Sequence, residues 1–400
     1  MDMQTDIRAL EAHRDGPIKR ISLVTETFPP EVNGVAMTTE RMLDGLARHH
    51  CVELVRVRQS RHDSPPVNAA YTTRLMRGIG LPRYAGLRLG LPATGALVRH
   101  WRTTRPDLVH VVTEGPLGWS AVRAAQRLGI PVTSDFHTNF HSYSGHYGVR
   151  FLRGPVLRYL RQLHNRTLST LVPTLELASQ LAADGFENLK IVSRGVDTER
   201  FKPTRRSERL RRGWGVAEKA PSLAPLVMVV SRVAPEKNFE LAIEAFRALQ
   251  EVLPEARMVI VGDGPARAEL AQRNPDIHFA GMQQGTELAE HYASADLFLF
   301  PSQTETFGNV TLEAMASGLP VVAYDYAAAR EHIRHGENGM VAPFGDSDAF
   351  IAQVVLTGRD MRLRQRIGAG ARETAEQLDW AVICHQFETA LLEHLEVCHA

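Results

Sequence analysis

The sequence has 400 residues, of which 44% are hydrophobic and 23% charged, and its formal net charge is +1, so the chain is long and apolar enough to bury the cores of two ordinary domains. Its longest apolar runs are of strand length, far short of the roughly 20 residues that span a bilayer, and residues 1–20 lack the apolar segment of a secretory signal. We therefore exclude a membrane-spanning chain and expect a globular cytoplasmic protein whose three cysteines are reduced.

The first half of the chain alternates short β-branched runs with helical stretches. Arg20–Thr25 and Cys51–Val57 are predicted to be strands on either side of a helix at Val35–His49. Leu108–Val112 and Pro131–Ser134 are predicted to be further buried strands. This alternation is typical of a doubly wound parallel sheet.

The same rhythm restarts in the second half. Phe239–Val252 and Asn309–Ser317 are predicted to be helices. Between the two halves, Ser193–Pro225 is rich in Arg, Gly and Pro and has no strand periodicity, so we expect the domain boundary there. The predicted strands of the second half are Leu226–Val230, Arg257–Val261, Ile277–Phe279, Asp296–Phe300 and Pro320–Val322.

This pattern predicts an α/β protein with two tandem Rossmann-like, doubly wound domains that face a central cleft. We assign residues 19–200 to the N-terminal domain and residues 201–379 to the C-terminal domain. Ligands of open α/β sheets bind at the carboxyl ends of the strands, so the cleft is the expected active site.

Two carboxylates near the start of one predicted helix are the strongest chemical signal. Glu305 follows the predicted strand Asp296–Phe300, and Glu313 lies about one turn inside the helix that begins near Gly308. A helix N-terminus directs unpaired N–H groups at an anion, which suits a diphosphate, while the carboxylates can meet the hydroxyls of a sugar and a ribose. The alternative is an ordinary strand–turn–helix with Glu in a favourable first-turn position.

Two cations follow the first predicted strand of the second half. Arg232 and Lys237 come directly after Leu226–Val230, at the carboxyl edge of the same sheet. They can neutralise a departing diphosphate, and each charge-assisted hydrogen bond contributes roughly 1.5–3 kcal/mol. The alternative is a solvated pair of loop side chains.

These motifs together resemble those of a known family. Ser231–Asn238, Val261–Pro265 and Pro301–Ala323 are similar to the motifs of the retaining GT-B glycosyltransferases of family 4, the glycosyl transferases group 1 type. The resemblance implies that the N-terminal domain binds the acceptor and the C-terminal domain binds a nucleotide-sugar donor. It also implies that Arg232 and Lys237 bind the donor diphosphate.

The resemblance gives roles to the acidic residues as well. It implies that Glu305 contacts the donor sugar and that Glu313 contacts the nucleotide ribose. Thr306 departs from the family pattern, in which many members have Pro, and we expect this to change the stiffness of the turn rather than the chemistry. The residues expected to bind the donor are Gly34, Gly264, Phe307, Gly308, Asn309, Val310 and Glu313.

The N-terminal half carries two further motifs of the family. Gly34 permits close approach of a phosphate or sugar to a helix N-terminus, although many members have Gly-Gly where this chain has Asn33-Gly34. Phe136–Tyr147 resembles the subgroup of glycolipid mannosyl- and sulfoquinovosyltransferases, and His137 matches the family histidine that lines the donor-sugar pocket, which makes it a catalytic candidate. The residues expected to contact the acceptor are Tyr143, His146 and Tyr147.

Two other patterns imitate metal sites. His137 and His141 are four residues apart, but no carboxylate or Cys lies at ligand spacing, so we interpret them as active-site loop or packing residues. Asp346-Ser-Asp348 imitates the metal-binding pair of the other major glycosyltransferase fold, but its position before a predicted helix favours an N-cap. We therefore expect neither a metal ion nor another cofactor.

The charge distribution bears on the acceptor. Residues 1–200 contain 26 Lys and Arg against 18 Asp and Glu, a charge of +8, and the remainder contains 20 against 27, a charge of −7. Ser64–Pro106 and Phe136–Leu175 contain several arginines and no acidic residue. A positive charge concentrated in the first half favours binding to an anionic membrane surface or an anionic acceptor. The alternative is an Arg-rich face that is only solvated.

The resemblance implies a metal-independent, retaining hexosyltransferase. We expect it to move mannose from GDP-mannose to a lipid or lipid-linked glycan at the inner face of the cell membrane, with UDP-linked glucose, sulfoquinovose or glucuronic acid as rival donors and no nucleic-acid partner. In similar enzymes the C-terminal helix packs back on the first domain, and we expect the same of residues 380–397. Two remote alternatives remain: a sugar-nucleotide epimerase and a non-catalytic sugar-nucleotide binder.

Overall fold

The structure is a computed structural model that describes residues 17–31, 33–60, 63–65, 70–80, 88–137, 153–216, 224–305 and 307–397. The chain divides into two compact units. Unit 1 comprises Met1–Ser193 together with Ala381–Ala400, and unit 2 comprises Arg194–Trp380.

Unit 1 is built on a parallel β-sheet. The strands found among its described residues are β1 (Arg20–Thr25), β2 (Cys51–Val57), β3 (Thr72–Met76), β4 (Gly78–Gly80), β5 (Arg88–Gly90), β6 (Leu108–Val111), β7 (Val132–Asp135), β8 (Thr170–Val172) and β9 (Leu189–Ile191). The sheet order is β3-β2-β1-β6-β7-β8-β9, and β4 and β5 form a separate antiparallel pair. The winding therefore reverses between β1 and β6, the position at which ligands of such sheets bind.

Helices connect the strands of unit 1. They are α1 (Gly34–Ala47), α2 (Thr94–Thr104), α3 (Pro116–Leu128), α4 (Arg153–His164) and α5 (Leu175–Ala183). Helix α3 shows the local rules, because Pro116 occupies its first position and Gly129 ends it with a φ of +66°. Buried side chains of α2, α3 and β6 share one core, which includes Trp101, Leu117 and Val109.

Unit 2 repeats the architecture with a second parallel sheet. The strands found in its described part are β10 (Leu226–Val230), β11 (Arg257–Val261), β12 (His278–Gly281), β13 (Leu297–Phe300), β14 (Val321–Tyr324) and β15 (Met340–Ala342). Their order is β12-β11-β10-β13-β14-β15, so the winding reverses between β10 and β13. Met228 and Val230 lie in one hydrophobic core whereas Val227 and Val229 lie in the other, so β10 is buried on both faces.

The helices of unit 2 link these strands and continue after the last one. They are α6 (Glu208–Gly213), α7 (Phe239–Val252), α8 (Arg267–Arg273), α9 (Gly285–Ser294), α10 (Asn309–Ala316), α11 (Ala327–His332), α12 (Ser347–Arg359) and α13 (Met361–Glu376). Asp346 caps α12, since its carboxylate accepts a hydrogen bond from the Ala349 N–H at 2.9 Å. This confirms the N-cap that the sequence predicts.

The last helix, α14 (Trp380–Val397), contributes to unit 1. The ring of Phe387 packs edge-on against His110, with centroids 5.1 Å apart. The two oxygens of Glu388 lie 3.0 Å from ring nitrogens of His49 and His50. Burial alone would raise the pKa of Glu388, but these two imidazoles hold it below its usual range.

The hydrophobic pattern predicts the long central strands to within one or two residues and leaves out the short peripheral ones. It does not predict β8, β9 or β15, which are three residues long, or β3, which has five. Within the described ranges, no helix combines the length and the apolar character needed to cross a bilayer.

Candidate active site

Lys237 and Glu305 meet at the carboxyl edge of the unit 2 sheet, beyond its two middle strands. Lys237 lies between β10 and α7, and its ammonium donates to the Glu305 carboxylate (2.5 Å) and to the carbonyl oxygen of Thr304 (3.2 Å). Both side chains are only 15% exposed. Because β10 and β13 are neighbours in the sheet, the turns that follow them are adjacent, which brings these two predicted site residues together.

Arg232 also follows β10, but its surroundings differ. Its guanidinium forms an ion pair with Glu236, four residues further on, and its side chain is 63% exposed. No hydrogen bond between described residues joins Arg232 to Lys237 or Glu305. The structure therefore places Arg232 at the predicted edge of the sheet without bringing it into contact with the Lys237–Glu305 pair.

Two glycines allow the turn after β11 to lie against the segment that carries Arg232. Gly262 and Gly264 have φ angles of +135° and +159°. A Cβ on Gly262 would lie 1.9 Å from the Ser231 carbonyl oxygen, and one on Gly264 would lie 2.3 Å from that of Val233. Both positions therefore require glycine for backbone packing.

The loop that carries Glu305 is held by a hydrogen bond within the loop and by two from the segment at the start of α11. Ser302 donates from its hydroxyl to the Glu305 carboxylate at 2.8 Å. The hydroxyl of Tyr326 donates to the Glu305 carbonyl oxygen at 2.8 Å, and the Ala328 N–H donates to the Phe307 carbonyl oxygen at 2.8 Å. The position of Glu305 is therefore set before any ligand binds.

Helix α10 begins immediately after this loop and has no side-chain cap. Gly308 precedes it with a φ of +91°, a conformation that favours glycine. Phe307 is buried and packs edge-on against the ring of His332, whose pKa burial lowers to about 4. The N–H groups of Asn309 and Val310 lie in the first turn, where a helix attracts anions.

Glu313 lies one turn further along α10. Its carboxylate accepts a hydrogen bond from the hydroxyl of Tyr292 at 2.9 Å. Burial raises the pKa of Glu313, and the Tyr292 bond and the charge of Arg200 offset part of that rise. Between described residues, no hydrogen bond links Glu313 to Lys237 or Glu305, so its contacts are separate from theirs.

In unit 1, Asn33 immediately precedes Gly34, the first residue of α1. Its side-chain oxygen accepts a hydrogen bond from the Ala36 N–H at 2.8 Å, and its amide donates to the Thr27 hydroxyl at 2.9 Å. Gly34 is the first residue of the helix and is exposed. Asn33, which stands where many family members have the first glycine of a Gly-Gly pair, therefore caps the N-terminus of α1.

His137 follows β7, and a buried carboxylate lies beside its ring. Its Nε2 lies 3.2 Å from one oxygen of Asp135, whose other oxygen lies 3.4 Å from Nε2 of His110. The His137 backbone N–H donates to Glu114 at 3.2 Å. Burial alone would raise the pKa of Asp135, but His110 and His137 hold it well below its usual range.

The remaining predicted site residues belong to segments outside the described ranges. Tyr143, His146 and Tyr147, with His141, fall outside the described residues, as does Thr306. Among the side chains that the structure does describe, no group of three or more His, Cys, Asp or Glu is arranged to hold a metal ion.

Two family models match the chain. Residues 224–359 match the model described as "Glycosyl transferases group 1", and residues 32–200 match "Glycosyltransferase Family 4". A GDP-mannose-dependent alpha-mannosyltransferase of Mycobacterium tuberculosis is 34% identical over 385 residues, which cover 94% of this chain and 96% of the relative. The chain is a family 4 glycosyltransferase.

This glycosyltransferase is also similar to a sulfoquinovosyl transferase of Arabidopsis thaliana, with 33% identity over 314 residues that cover 76% of the chain and 60% of the relative. Among solved structures, Anabaena HepE in complex with UDP and glucose superposes with a TM-score of 0.72 at 20% identity, covering 94% of this chain and 100% of that one. At such identity the likeness shows the fold alone. Together with the two parallel sheets, it confirms the predicted GT-B class.

Sequence reasoning missed several residues that support the site of this glycosyltransferase. Tyr292 lies on α9 and Tyr326 immediately precedes α11, positions where an aromatic side chain is ordinarily a core residue, so the sequence gives no sign of a polar role. Asp135 and His110 were detectable, because a charged or titratable side chain in a buried strand needs a partner.

Proposed function

We propose that this glycosyltransferase transfers mannose from GDP-mannose to a lipid or lipid-linked glycan and retains the anomeric configuration. The GDP-mannose-dependent relative, which is similar over nearly the whole of both chains, supports this donor. The observation that carries the proposal is the Lys237–Glu305 pair beside the uncapped start of α10. It combines a cation for a diphosphate with a carboxylate for sugar hydroxyls.

In this proposal the donor diphosphate binds at the N-terminus of α10. The first-turn N–H groups of Asn309 and Val310 and the ammonium of Lys237 stabilise its charge. Arg232 is exposed enough to turn from Glu236 to the ligand. Lys237 is already held by two acceptors, so little reorganisation is needed when charge develops on the leaving group.

The transfer step follows from these contacts. An acceptor hydroxyl attacks the anomeric carbon from the face that the diphosphate leaves, the bond from that carbon to the phosphate oxygen breaks, and a diphosphate oxygen takes the acceptor proton. Glu305 orients the donor sugar through its hydroxyls, and Glu313 binds the ribose. His137 contributes to the sugar pocket with its imidazole, whose Nε2 lies 3.2 Å from Asp135.

Gly264 and Gly34, both predicted to bind the donor, have different roles in this proposal. Gly264 acts indirectly, because it lets the turn after β11 support the segment that carries Arg232. Gly34, exposed at the start of α1, remains a candidate for direct contact with the donor. Phe307 and Gly308 act by setting where α10 begins.

A donor screen tests the proposal. Thermal unfolding would be followed with GDP-mannose, UDP-glucose and UDP-glucuronic acid, for the wild type and for Lys237→Met. We expect GDP-mannose to raise the melting temperature most, since a ligand that binds only the folded state stabilises it. The substitution should reduce that shift, and an unchanged shift would contradict the role of Lys237.

A UDP-sugar donor is the second candidate. The Arabidopsis relative is named a sulfoquinovosyl transferase, and HepE was solved with UDP and glucose. A larger shift with a UDP-sugar in the same screen would favour it. Release of free sugar without an acceptor would point instead to an epimerase or hydrolase, and tight donor binding without transfer to any lipid would point to a non-catalytic binder.

We also propose that unit 1 contacts an anionic membrane at the cytoplasmic face of the cell. The guanidinium carbons of Arg123 and Arg166 lie 5.3 and 5.5 Å from the centre of the Trp119 ring, and the ring of Tyr159 is 5.6 Å away. Neither arginine forms an ion pair with a described residue. Val156 and Tyr159 are exposed on the same unit, and such a combination of aromatic, apolar and basic groups suits an acidic lipid surface.

Vesicle sedimentation tests the membrane contact. The protein would be mixed with vesicles of phosphatidylcholine alone or with phosphatidylglycerol added. Each basic residue near such a surface contributes about 1 kcal/mol, so the double variant Arg123→Glu, Arg166→Glu should bind the acidic vesicles at least about tenfold more weakly. Arg209→Glu, an exposed change on α6, is the matched control. Equal binding to both vesicle types would contradict the proposal.

A further inference from the structure

Tyr292 is a buried residue whose hydroxyl is bonded to a residue of the proposed donor site. It lies on α9, and none of its side chain is exposed. The rings of Phe201 and Phe298 pack against it with centroids 5.6 Å away, one edge-on and one tilted. These contacts fix the plane of the phenol and so the position of its hydroxyl.

The hydroxyl of Tyr292 donates to one oxygen of the Glu313 carboxylate at 2.9 Å. Burial raises the pKa of Tyr292 well above its usual value, and the charge of Glu313 raises it further, so the phenol keeps its proton and remains a donor. No hydrogen bond from the described residues reaches the other oxygen of Glu313. A carboxylate has acceptor sites on both oxygens, so the second one is available to a ligand hydroxyl.

The energetics favour this arrangement for a binding residue. Burial raises the pKa of Glu313, and the Tyr292 hydroxyl, together with the charge of Arg200, acts against that rise. The same bond removes rotational freedom from a long side chain before the ligand arrives, which lowers the entropic cost of binding.

We propose that Tyr292 is a positioning residue for recognition of the nucleotide ribose. Its hydroxyl holds one oxygen of Glu313 so that the other accepts a hydrogen bond from a 2′- or 3′-hydroxyl. The inference rests on the proposed function, in which Glu313 binds the ribose. It predicts that Tyr292 matters only for nucleotides that carry those hydroxyls.

The conservative variant Tyr292→Phe removes the hydroxyl and keeps the ring. Calorimetric titration would compare GDP with 2′,3′-dideoxy-GDP for the wild type and the variant. We expect the Kd for GDP to rise about fivefold to tenfold, the effect of one hydrogen bond. The Kd for the dideoxy nucleotide should be the same in both proteins. A variant of Glu313, E313A, should abolish the difference between wild type and Y292F.

Tyr324→Phe is a matched control from the same unit. Tyr324 is also buried, at 2% exposed, but its hydroxyl has no hydrogen-bond partner among the described residues. Removing it should therefore change the affinity for neither nucleotide. Thermal unfolding of both variants would show that each is folded.

The outcomes separate the inference from the proposed function. Equal weakening of GDP and dideoxy-GDP by Y292F would show a general packing defect and overturn the positioning role, as would no weakening at all. If UDP binds in place of GDP, the same pair of UDP nucleotides is compared and the expectation is unchanged. Failure of the wild type to bind any nucleotide would overturn the donor assignment and the ribose role together.

Discussion

Replacement of Lys237 by methionine changes the proposed donor site with little change of shape. Methionine keeps an apolar stem but lacks the ammonium that donates to Glu305 and to the Thr304 carbonyl oxygen. The Lys237 and Glu305 side chains are each 15% exposed, so the variant leaves a poorly solvated carboxylate without its cation. We expect a folded protein that binds the donor weakly and turns over slowly.

The magnitude follows from the bond that is lost. A hydrogen bond between an ammonium and a charged diphosphate contributes about 1.5–3 kcal/mol, and roughly 1.4 kcal/mol corresponds to a factor of ten in rate. The diphosphate gains charge as its bond to the sugar breaks, so the interaction is strongest in the transition state. We therefore expect kcat/KM to fall about a hundredfold, through both weaker binding of the donor and a lower kcat.

The assay compares initial rates of mannosyl transfer for the wild type, Lys237→Met and a control, Lys202→Met. Lys202 belongs to the same unit and pairs at 3.0 Å with Glu199, which is 84% exposed. Surface pairs of this kind contribute little, so the control should keep its rate. If Lys237→Met is folded and stays within about threefold of the wild-type rate, far less than one lost charged hydrogen bond predicts, the assignment of Lys237 to the diphosphate is refuted.

Three further predictions concern stability and are measured by urea unfolding. Gly262→Ala places a Cβ 1.9 Å from the Ser231 carbonyl oxygen and should destabilise unit 2 by about 3 kcal/mol or more, whereas Gly213→Ala, with open space around it, should not. Burial raises the pKa of Glu26 from its ordinary 4.5 to about 7, so the folded state binds this proton more tightly than the unfolded state does. The resulting gain in the free energy of unfolding is complete below pH 4.5 and is lost as the pH rises through 7. Glu26→Gln should remove this dependence, which is worth up to about 3 kcal/mol. The pKa of Glu388 is lowered, so Glu388→Gln should cost stability at neutral pH, and its unfolding free energy should converge with that of the wild type only at acidic pH, below the ordinary carboxyl range.

The contact between Lys237 and Glu305 could be predicted from the sequence because it depends on few rules. The strands Leu226–Val230 and Leu297–Phe300 are apolar throughout, as strands buried on both faces must be. In a doubly wound sheet the turns after two such neighbouring strands lie side by side. Motif and topology therefore agree at this point.

The contact between Tyr292 and Glu313 could not be predicted in the same way. The two residues lie on different helices, α9 and α10, and their meeting depends on how those helices pack. In the sequence, Tyr292 follows the pattern of an ordinary core aromatic. Only the packing directs its hydroxyl at a carboxylate.

The glycines and the short strands show two other limits of structure prediction from this sequence. The sequence places Gly264 among the residues expected to bind the donor. It does not show that the missing Cβ of Gly264 makes room for the carbonyl oxygen of Val233, because Val233 lies 31 positions back in the chain. Strands β8, β9 and β15 are three residues long, too short for a hydrophobic period. Their pairing is fixed by the strands beside them in each sheet.

Mass analysis of the reaction products tests most directly whether this glycosyltransferase moves mannose from GDP-mannose to a lipid. The protein would be incubated with GDP-mannose and a membrane lipid extract, and GDP and lipid products would be quantified together. We predict a lipid heavier by one hexose and an equal amount of GDP. Intact GDP-mannose, or free mannose with no glycosylated lipid, would contradict the account.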